Sequence, residues 1–340
     1  MNFNVIRDLK EFASLSEEWN RLLEESASHV PFLRHEYLFT WWRTLGGGEW
    51  KNGELYLVTG RREGGQLCGV APLFFTENQH GEAALMLLGS VEISDYLDII
   101  AHPQELPAFL SELLAHLESV KDPGWKVLDF YNLLESSPTL PALKAAAEKR
   151  GWIYSEEKLK HCPYIPLPGD WETYLAGIDK KQRHEIRRKM RRIEESDVSV
   201  RWYILDKPEH LEAEIDDFLK LMAQDDEKQD FLTEVMRSQM RAMVNAAFEA
   251  GWLQLAFLEI NGEKAAGYLN FDYDNHIWVY NSGMDSRFSP YSPGWVLLGY
   301  LLKWANDHGR QAFDFMRGDE EYKYRFGGVD RFVVRASVRR

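Results

Sequence analysis

The chain has 340 residues, and domains cluster near roughly 100–200 residues, so the sequence predicts two domains. A hydrophobic share of 45% with 13% aromatics supplies a core to each half and excludes disorder for the bulk of the chain. The net charge of -14 repels nucleic acid and anionic membrane on average, and the two cysteines, Cys68 and Cys162, lack metal-type spacing, which excludes a disulfide scaffold and argues against any metal site.

The pattern opens with a strand over Phe3–Ile6 and a helix over Leu15–Ser26, with Trp19, Leu22 and Leu23 on one face. A second helix, His35–Leu45, ends at Gly46-Gly47-Gly48. Strands follow over Glu54–Arg61 and Cys68–Phe75, joined by a turn at Gly64-Gly65. Further strands are expected at Leu85–Leu88, Tyr96–Ile100, Lys126–Tyr131 and Ile153–Ser155, with helices over Leu106–Ser119 and Thr139–Lys149. Residues 161–169 contain three prolines and a glycine, which marks the crossover between domains.

Beyond it, a short helix over Trp171–Ala176 precedes a long basic helix from Lys180 to Glu195. A strand at Val198–Ile204 follows, then helices over Glu209–Gln224 and Thr233–Ala250. Strands are expected at Leu253–Ile260, Lys264–Asp272 and His276–Gly283. A loop, Asp285–Pro293, leads to a helix over Gly294–His308, and the last strands are Ala312–Met316 and Arg331–Val338. The second half repeats the first. A strand, glycine turn, strand unit appears at Gly64…Gly69 and again at Gly262…Gly267. A helix, glycine, strand unit ending in Asp-Phe appears at Asp129-Phe130 and at Asp314-Phe315. Domains are therefore expected at 1–160 and 161–340. No run reaches the length of a bilayer span and the N-terminus lacks a leader pattern, so a cytoplasmic location is expected.

Three segments carry candidate chemistry. In the basic helix, eight residues are Lys or Arg, and Ile186, Met190 and Ile193 form a narrow apolar stripe. Arg187 and Arg188 on this helix are candidates for contact with a polyanion such as a phosphorylated cofactor; the alternative is a solvated helix neutralised by the protein's own carboxylates. In the loop before the Gly294 helix, Arg287, Ser289, Tyr291, Ser292 and Gly294 could hold a phosphate, because a helix N-terminus presents unpaired N–H groups; the alternative is an ordinary cap. In Asp314–Gly328, carboxylate, ammonium and phenol groups crowd just past a strand end. There Asp319 could accept a proton from an attacking amine, Tyr322 could return one to a leaving group, and Lys323 could steady a phosphate or an oxyanion. The two carboxylates of Ser94-Asp95-Tyr96-Leu97-Asp98 have a spacing that keeps them off one face of a strand, so they do not form an acid/base pair.

Three stretches carry a family resemblance: Lys180–Arg188, Tyr291–Leu298 and Asp314–Lys323. Tyr322-Lys323-Tyr324-Arg325-Phe326-Gly327 is similar to the Phe-Lys-x-x-Phe-Gly signature of FemX-like enzymes. The chain resembles acyltransferases of the GNAT superfamily, in the double-domain type that includes the CelD-like and FemAB/FemX-like groups of bacterial proteins. The resemblance implies an α/β fold of two tandem GNAT-like domains, each a mixed, mostly antiparallel sheet flanked by helices. It implies transfer of an acyl group from acetyl-CoA or another acyl-CoA to a primary amine on a small molecule or a cell-envelope precursor. The donor and the chemistry would belong to the second domain, while the first holds the acceptor or serves structure. Where the family carries glycines in its phosphate loop, this chain has Pro290, Tyr291 and Ser292, and Pro290 and Pro293 lack N–H groups. Two other functions follow from the same residues. One is a FemX-like transferase whose donor is a charged tRNA gripped by the basic helix. The other is a non-catalytic GNAT pair that binds a polyanion or a partner protein.

Overall fold

A computed structural model describes all 340 residues, which divide into two compact units. The first comprises Met1–Lys160 together with Phe332–Arg340, and the second His161–Arg331.

In the first unit the elements run β1 (Asn2–Ile6), α1 (Leu9–Ser14), α2 (Ser16–Glu24), α3 (His35–Gly48), β2 (Glu54–Leu55), β3 (Leu57–Arg61), β4 (Leu67–Ala71), β5 (Leu73–Glu77), β6 (Ala83–Leu87), β7 (Ile100–Ala101), α4 (Leu106–Ser119), β8 (Val127–Leu134), α5 (Thr139–Glu148) and β9 (Ile153–His161). The second unit contains β10 (Tyr164–Pro166), α6 (Trp171–Gly177), α7 (Lys180–Glu194), β11 (Val200–Ile204), α8 (Leu211–Met222), α9 (Asp226–Phe231), α10 (Glu234–Glu249), β12 (Leu253–Ile260), β13 (Glu263–Tyr273), β14 (His276–Met284), α11 (Pro293–Asp307), β15 (Ala312–Asp314) and α12 (Glu321–Arg325). The final strand, β16 (Phe332–Arg339), returns to the first unit.

The second unit has one six-stranded sheet in the order β11-β12-β13-β14-β15-β10. All neighbours are antiparallel except β14 and β15. The first unit follows the same plan with its strands broken in two. Its sheets are β1-β3-β4-β7 and β2-β5-β6-β8-β16-β9, and a parallel pair, β6 with β8, takes the place of β14 with β15. Pro72 separates β4 from β5, as expected of a residue that cannot donate to a ladder. The repeated strand, turn, strand pattern thus reflects a shared strand order.

Several elements depart from the sequence reading. Residues 332–340 were expected in the second domain, yet β16 lies between β8 and β9 and pairs antiparallel with β8, from Val333 opposite Leu134 to Arg339 opposite Val127. A partner some 200 residues away leaves no local trace. The crossover at 161–169 holds β10, an edge strand where Pro166 is tolerated. The strand expected at Tyr96–Ile100 shrinks to β7. Asp98 is instead fully enclosed, accepting bonds from the Ser28 and Ser137 hydroxyls and from the Ile99 N–H at 2.8 Å. Burial is the main cause that raises its pKa above the usual carboxylate range.

The Asp-Phe repeat has a structural explanation. Asp129 on β8 is buried, accepts from Arg335 on β16 at 2.7 and 3.0 Å, and accepts from Asn78 at 2.7 Å. Asp314 on β15 is likewise buried and pairs with Arg331. In both units the aspartate anchors an arginine near the end of the chain.

The basic helix forms where expected. Asp179 caps it by accepting from the N–H groups of Lys181 at 2.9 Å and Gln182 at 3.3 Å. Ile186, Met190 and Ile193 are its buried residues, packed in the core with Leu297, Leu298 and Leu301 of α11.

Candidate active site

The site begins with a strand that leaves its neighbour. β14 pairs with β15 only from His276 to Trp278, although β14 continues to Met284. Its register against β13 also slips: Leu269 faces Asn281 while Asn270 faces Val279, which leaves Tyr280 as the extra residue of a bulge. A bulge bends its strand and increases local twist. The far half of β14 therefore leaves β15, and a cavity of about 530 Å³ opens beyond the end of the parallel pair. Crevices outside strand ends are the usual ligand sites of open α/β sheets.

Each wall has its own reason. Gly283 on β14 allows the end of α8 to lie against the strand, because a Cβ there would stand 2.4 Å from the Met222 nitrogen. On the opposite side α11 begins at Pro293, after Ser292 in a left-handed conformation (φ 53°). Ser292 gives no side-chain cap, and the first helical bond runs from the Val296 N–H to the Ser292 carbonyl at 3.1 Å. The N–H groups of Gly294 and Trp295 are left without partners in the chain. Such a helix start attracts negative charge.

Two phenols and one amine complete the cavity. Tyr268 comes from β13 and Tyr322 from α12, and neither hydroxyl has a hydrogen-bonding partner within the chain. Burial, reinforced by the charge of Glu320, raises the pKa of Tyr322 far above a free phenol. Burial and then the Tyr322 charge do the same for Tyr268, so the two rings are close enough to feel each other. Both remain protonated donors at neutral pH. Lys228 on α9 donates from Nζ to the Ser282 carbonyl at 2.6 Å, and burial lowers its pKa.

Of the residues singled out in the sequence, Tyr322, Ser289, Ser292 and Gly294 meet at this cavity. The others do not. Asp319 is exposed and is not among the lining residues. Tyr291 packs partly buried against the hydrophobic core. Arg287 turns away from the helix start; its guanidinium holds Asp285 at 2.7 Å and Glu263 at 2.8 Å, and those two carboxylates raise its pKa. Arg187 pairs with Glu172, and Arg188 pairs with Glu185 at 2.8 Å. These pairs occupy Arg187 and Arg188 with the protein's own carboxylates and neutralise part of the helix's cationic face. The cavity uses Trp295, from the Tyr291–Leu298 stretch, and also Tyr268, Lys228 and Ser282, none of which a sequence motif marks.

Lys323 is buried, at 3% exposure, and its Nζ is fully used. It donates to the carbonyls of Arg317 at 2.9 Å and Gly318 at 3.1 Å and pairs with Glu320 at 2.8 Å. The sequence expectation of a free ammonium at the chemistry thus gives way to a strut that fixes residues 317–320 just before Tyr322. Lys323→Met should cost roughly 1.5–3 kcal/mol, the usual value of hydrogen bonds to a charged group. Thermal melts would show it, and an unchanged midpoint would rule the strut out.

The comparisons with known proteins bear on the fold and on the second unit's domain class. Residues 180–324 match the family model described as an acetyltransferase (GNAT) domain. No curated protein matches the sequence. Among solved structures, FemX is similar with a TM-score of 0.67 at 12% identity, covering 99% of this chain and 97% of that one. A conserved protein of unknown function from Bacteroides thetaiotaomicron gives 0.57 at 14%, with all of both chains covered. The C-terminal domain of a putative lysylphosphatidylglycerol synthetase from Agrobacterium fabrum gives 0.56 at 9%, covering 97% of this chain and 92% of that one.

The fold and the domain match together define a GNAT-type transferase. The GNAT match lies within the second unit, over residues 180–324, and the whole chain shares the fold of FemX. No helix of the chain is long and apolar enough to cross a membrane.

Proposed function

We propose that the second unit transfers an acyl group from an acyl-CoA to a primary amine, with the cavity between β14 and α11 as its centre. One observation carries this reading: unpaired N–H groups at a helix start and two unpartnered phenols face the same cavity, just past the end of a parallel strand pair. The amine nitrogen attacks the thioester carbonyl and forms the C–N bond. The resulting oxyanion needs donors, and Lys228 Nζ and the Tyr268 hydroxyl are within the cavity to supply them. When the C–S bond breaks, the thiolate needs a proton, and Tyr322 is a protonated phenol placed to give it. Asp225 at the cavity edge is the carboxylate available to take the amine's proton. The helix start, with Ser289 and Ser292, would receive the donor's phosphate.

A FemX-like reading, with an aminoacyl group delivered on tRNA, rests on a separate observation. Lys228 is the single cation lining the cavity, and Arg287 is committed elsewhere, so a pyrophosphate finds few charged partners. The likeness to FemX and to a lysylphosphatidylglycerol synthetase, whose name denotes lysine joined to a lipid, favours the same reading. Thermal melts separate the two donors. Acetyl-CoA at about 100 times its dissociation constant should stabilise the protein by about 2.7 kcal/mol. Stabilisation by charged tRNA alone would reverse the order of the readings, and stabilisation by neither would support a non-catalytic pair.

A further inference from the structure

A second concavity, of about 620 Å³, lies in the same unit among α6, α7, β11 and α11, and the transfer reaction does not use it. It and the transfer cavity take different faces of α11: Trp295 and Leu298 line the transfer cavity, whereas Tyr300, Lys303 and Trp304 line this groove. Its wall holds four aromatic side chains, Trp171, Trp202, Tyr300 and Trp304, all only partly buried. Trp202 stacks on Tyr300 with centroids 5.6 Å apart, and Trp304 is held by His308, stacked at 4.2 Å, and by the Arg310 guanidinium 5.3 Å from its ring, so the rings are fixed in place before any ligand arrives. Four large rings left partly open to solvent in one groove mark a recognition surface.

The charges decide what is recognised. Three cations, Arg187, Arg191 and Lys303, line the groove with three carboxylates, Glu172, Glu194 and Asp307, so they cancel. Arg187 pairs with Glu172, Lys303 pairs with Asp307, and Glu194 accepts from the Tyr300 hydroxyl at 2.9 Å. A phosphodiester strand gains its affinity from net positive charge and would meet all three carboxylates here. A neutral polyol suits this lining better. Each hydroxyl both donates and accepts, so adjacent hydroxyls can use a carboxylate and a guanidinium together. The electron-rich faces of aromatic rings attract the C–H face of a sugar ring.

We propose that this groove is a saccharide-binding site, distinct from the transfer cavity, which docks a neutral sugar unit against Trp304 and Trp202. The proposal stands whichever donor the transfer cavity uses.

Tryptophan fluorescence and calorimetry with the whole chain test it. The probes are tetrasaccharides of β-1,4-linked glucose, β-1,4-linked N-acetylglucosamine and α-1,4-linked glucose, with an oligouridine of similar length. The expected result is saturable binding of at least one tetrasaccharide, little changed by salt and weakened at least tenfold by Trp304→Ala. Should that variant fold poorly, Asp307→Asn and Glu172→Gln alter only exposed rim groups and are expected to weaken the same binding severalfold. Three results would overturn the proposal: no binding of any tetrasaccharide up to about 10 mM, the weak end of measurable affinity; binding unaffected by all three variants; or salt-sensitive binding of oligouridine alone that Trp304→Ala abolishes.

Discussion

Replacing Arg335 by alanine is expected to unfold the first unit at a much lower temperature than the native chain. Asp129 has no exposure, and Arg335 neutralises it through two hydrogen bonds across the β8–β16 ladder. Removing one member of a buried pair strands the other, at a cost of about 3–5 kcal/mol. For a unit of this size that is a fall of roughly 6–20 °C in the melting transition. The double replacement Asp129→Leu with Arg335→Met removes both charges and should recover most of the loss, because the costly species is the lone carboxylate. A calorimetric scan of the three proteins decides the matter. An Arg335→Ala chain that melts with the native one would show that Asn78 alone satisfies Asp129.

The second large effect belongs to Tyr322. On the transfer reading, Tyr322→Phe removes the proton that the leaving thiolate needs, and general acid catalysis of this kind contributes about 10²–10⁴-fold. Turnover should fall by that factor. Donor affinity and melting temperature should stay near native values, because the hydroxyl has no partner in the chain to lose. The sign with pH is fixed by the raised pKa: Tyr322 is protonated throughout the neutral range, so its loss of function as an acid comes only at strongly alkaline pH. Native turnover in Tyr322→Phe would transfer the role to Tyr268, and the corresponding Tyr268→Phe chain would then carry the deficit.

What could be read from the sequence divides along physical lines. Local signals were informative. The apolar stripe Ile186, Met190 and Ile193 gave the buried face of α7. The Pro293-Gly294 pair marked the start of α11 within a residue. Equal glycine spacing and the Asp-Phe repeat pointed to two units with one strand order. Long-range signals were not available. Nothing near Phe332 announces a strand whose partner is Val127–Leu134. The site shows the same division. Tyr322 sat in a recognisable segment and lies at the cavity, but its neighbour Lys323 turns inward to three oxygens. Arg287 and Arg187 looked like free cations because sequence spacing does not show carboxylates that arrive from other elements, such as Glu263 and Glu172. Tyr268 and Lys228 converge through the sheet and a six-residue helix, and no motif links them.

The placement of β16 bears on how the chain is made. Translation delivers the N-terminal end first, and domains generally fold as they emerge. Residues 1–160 cannot do so completely: β8 and β9 wait for the strand that lies between them, and Asp129 waits for its arginine, until residues 332–339 have been synthesised. The second unit, continuous from His161 to Arg331, has no such delay. The half that is translated first is thus finished last, and a ribosome that stalls before codon 332 leaves a nascent chain with an open sheet edge and an uncompensated carboxylate.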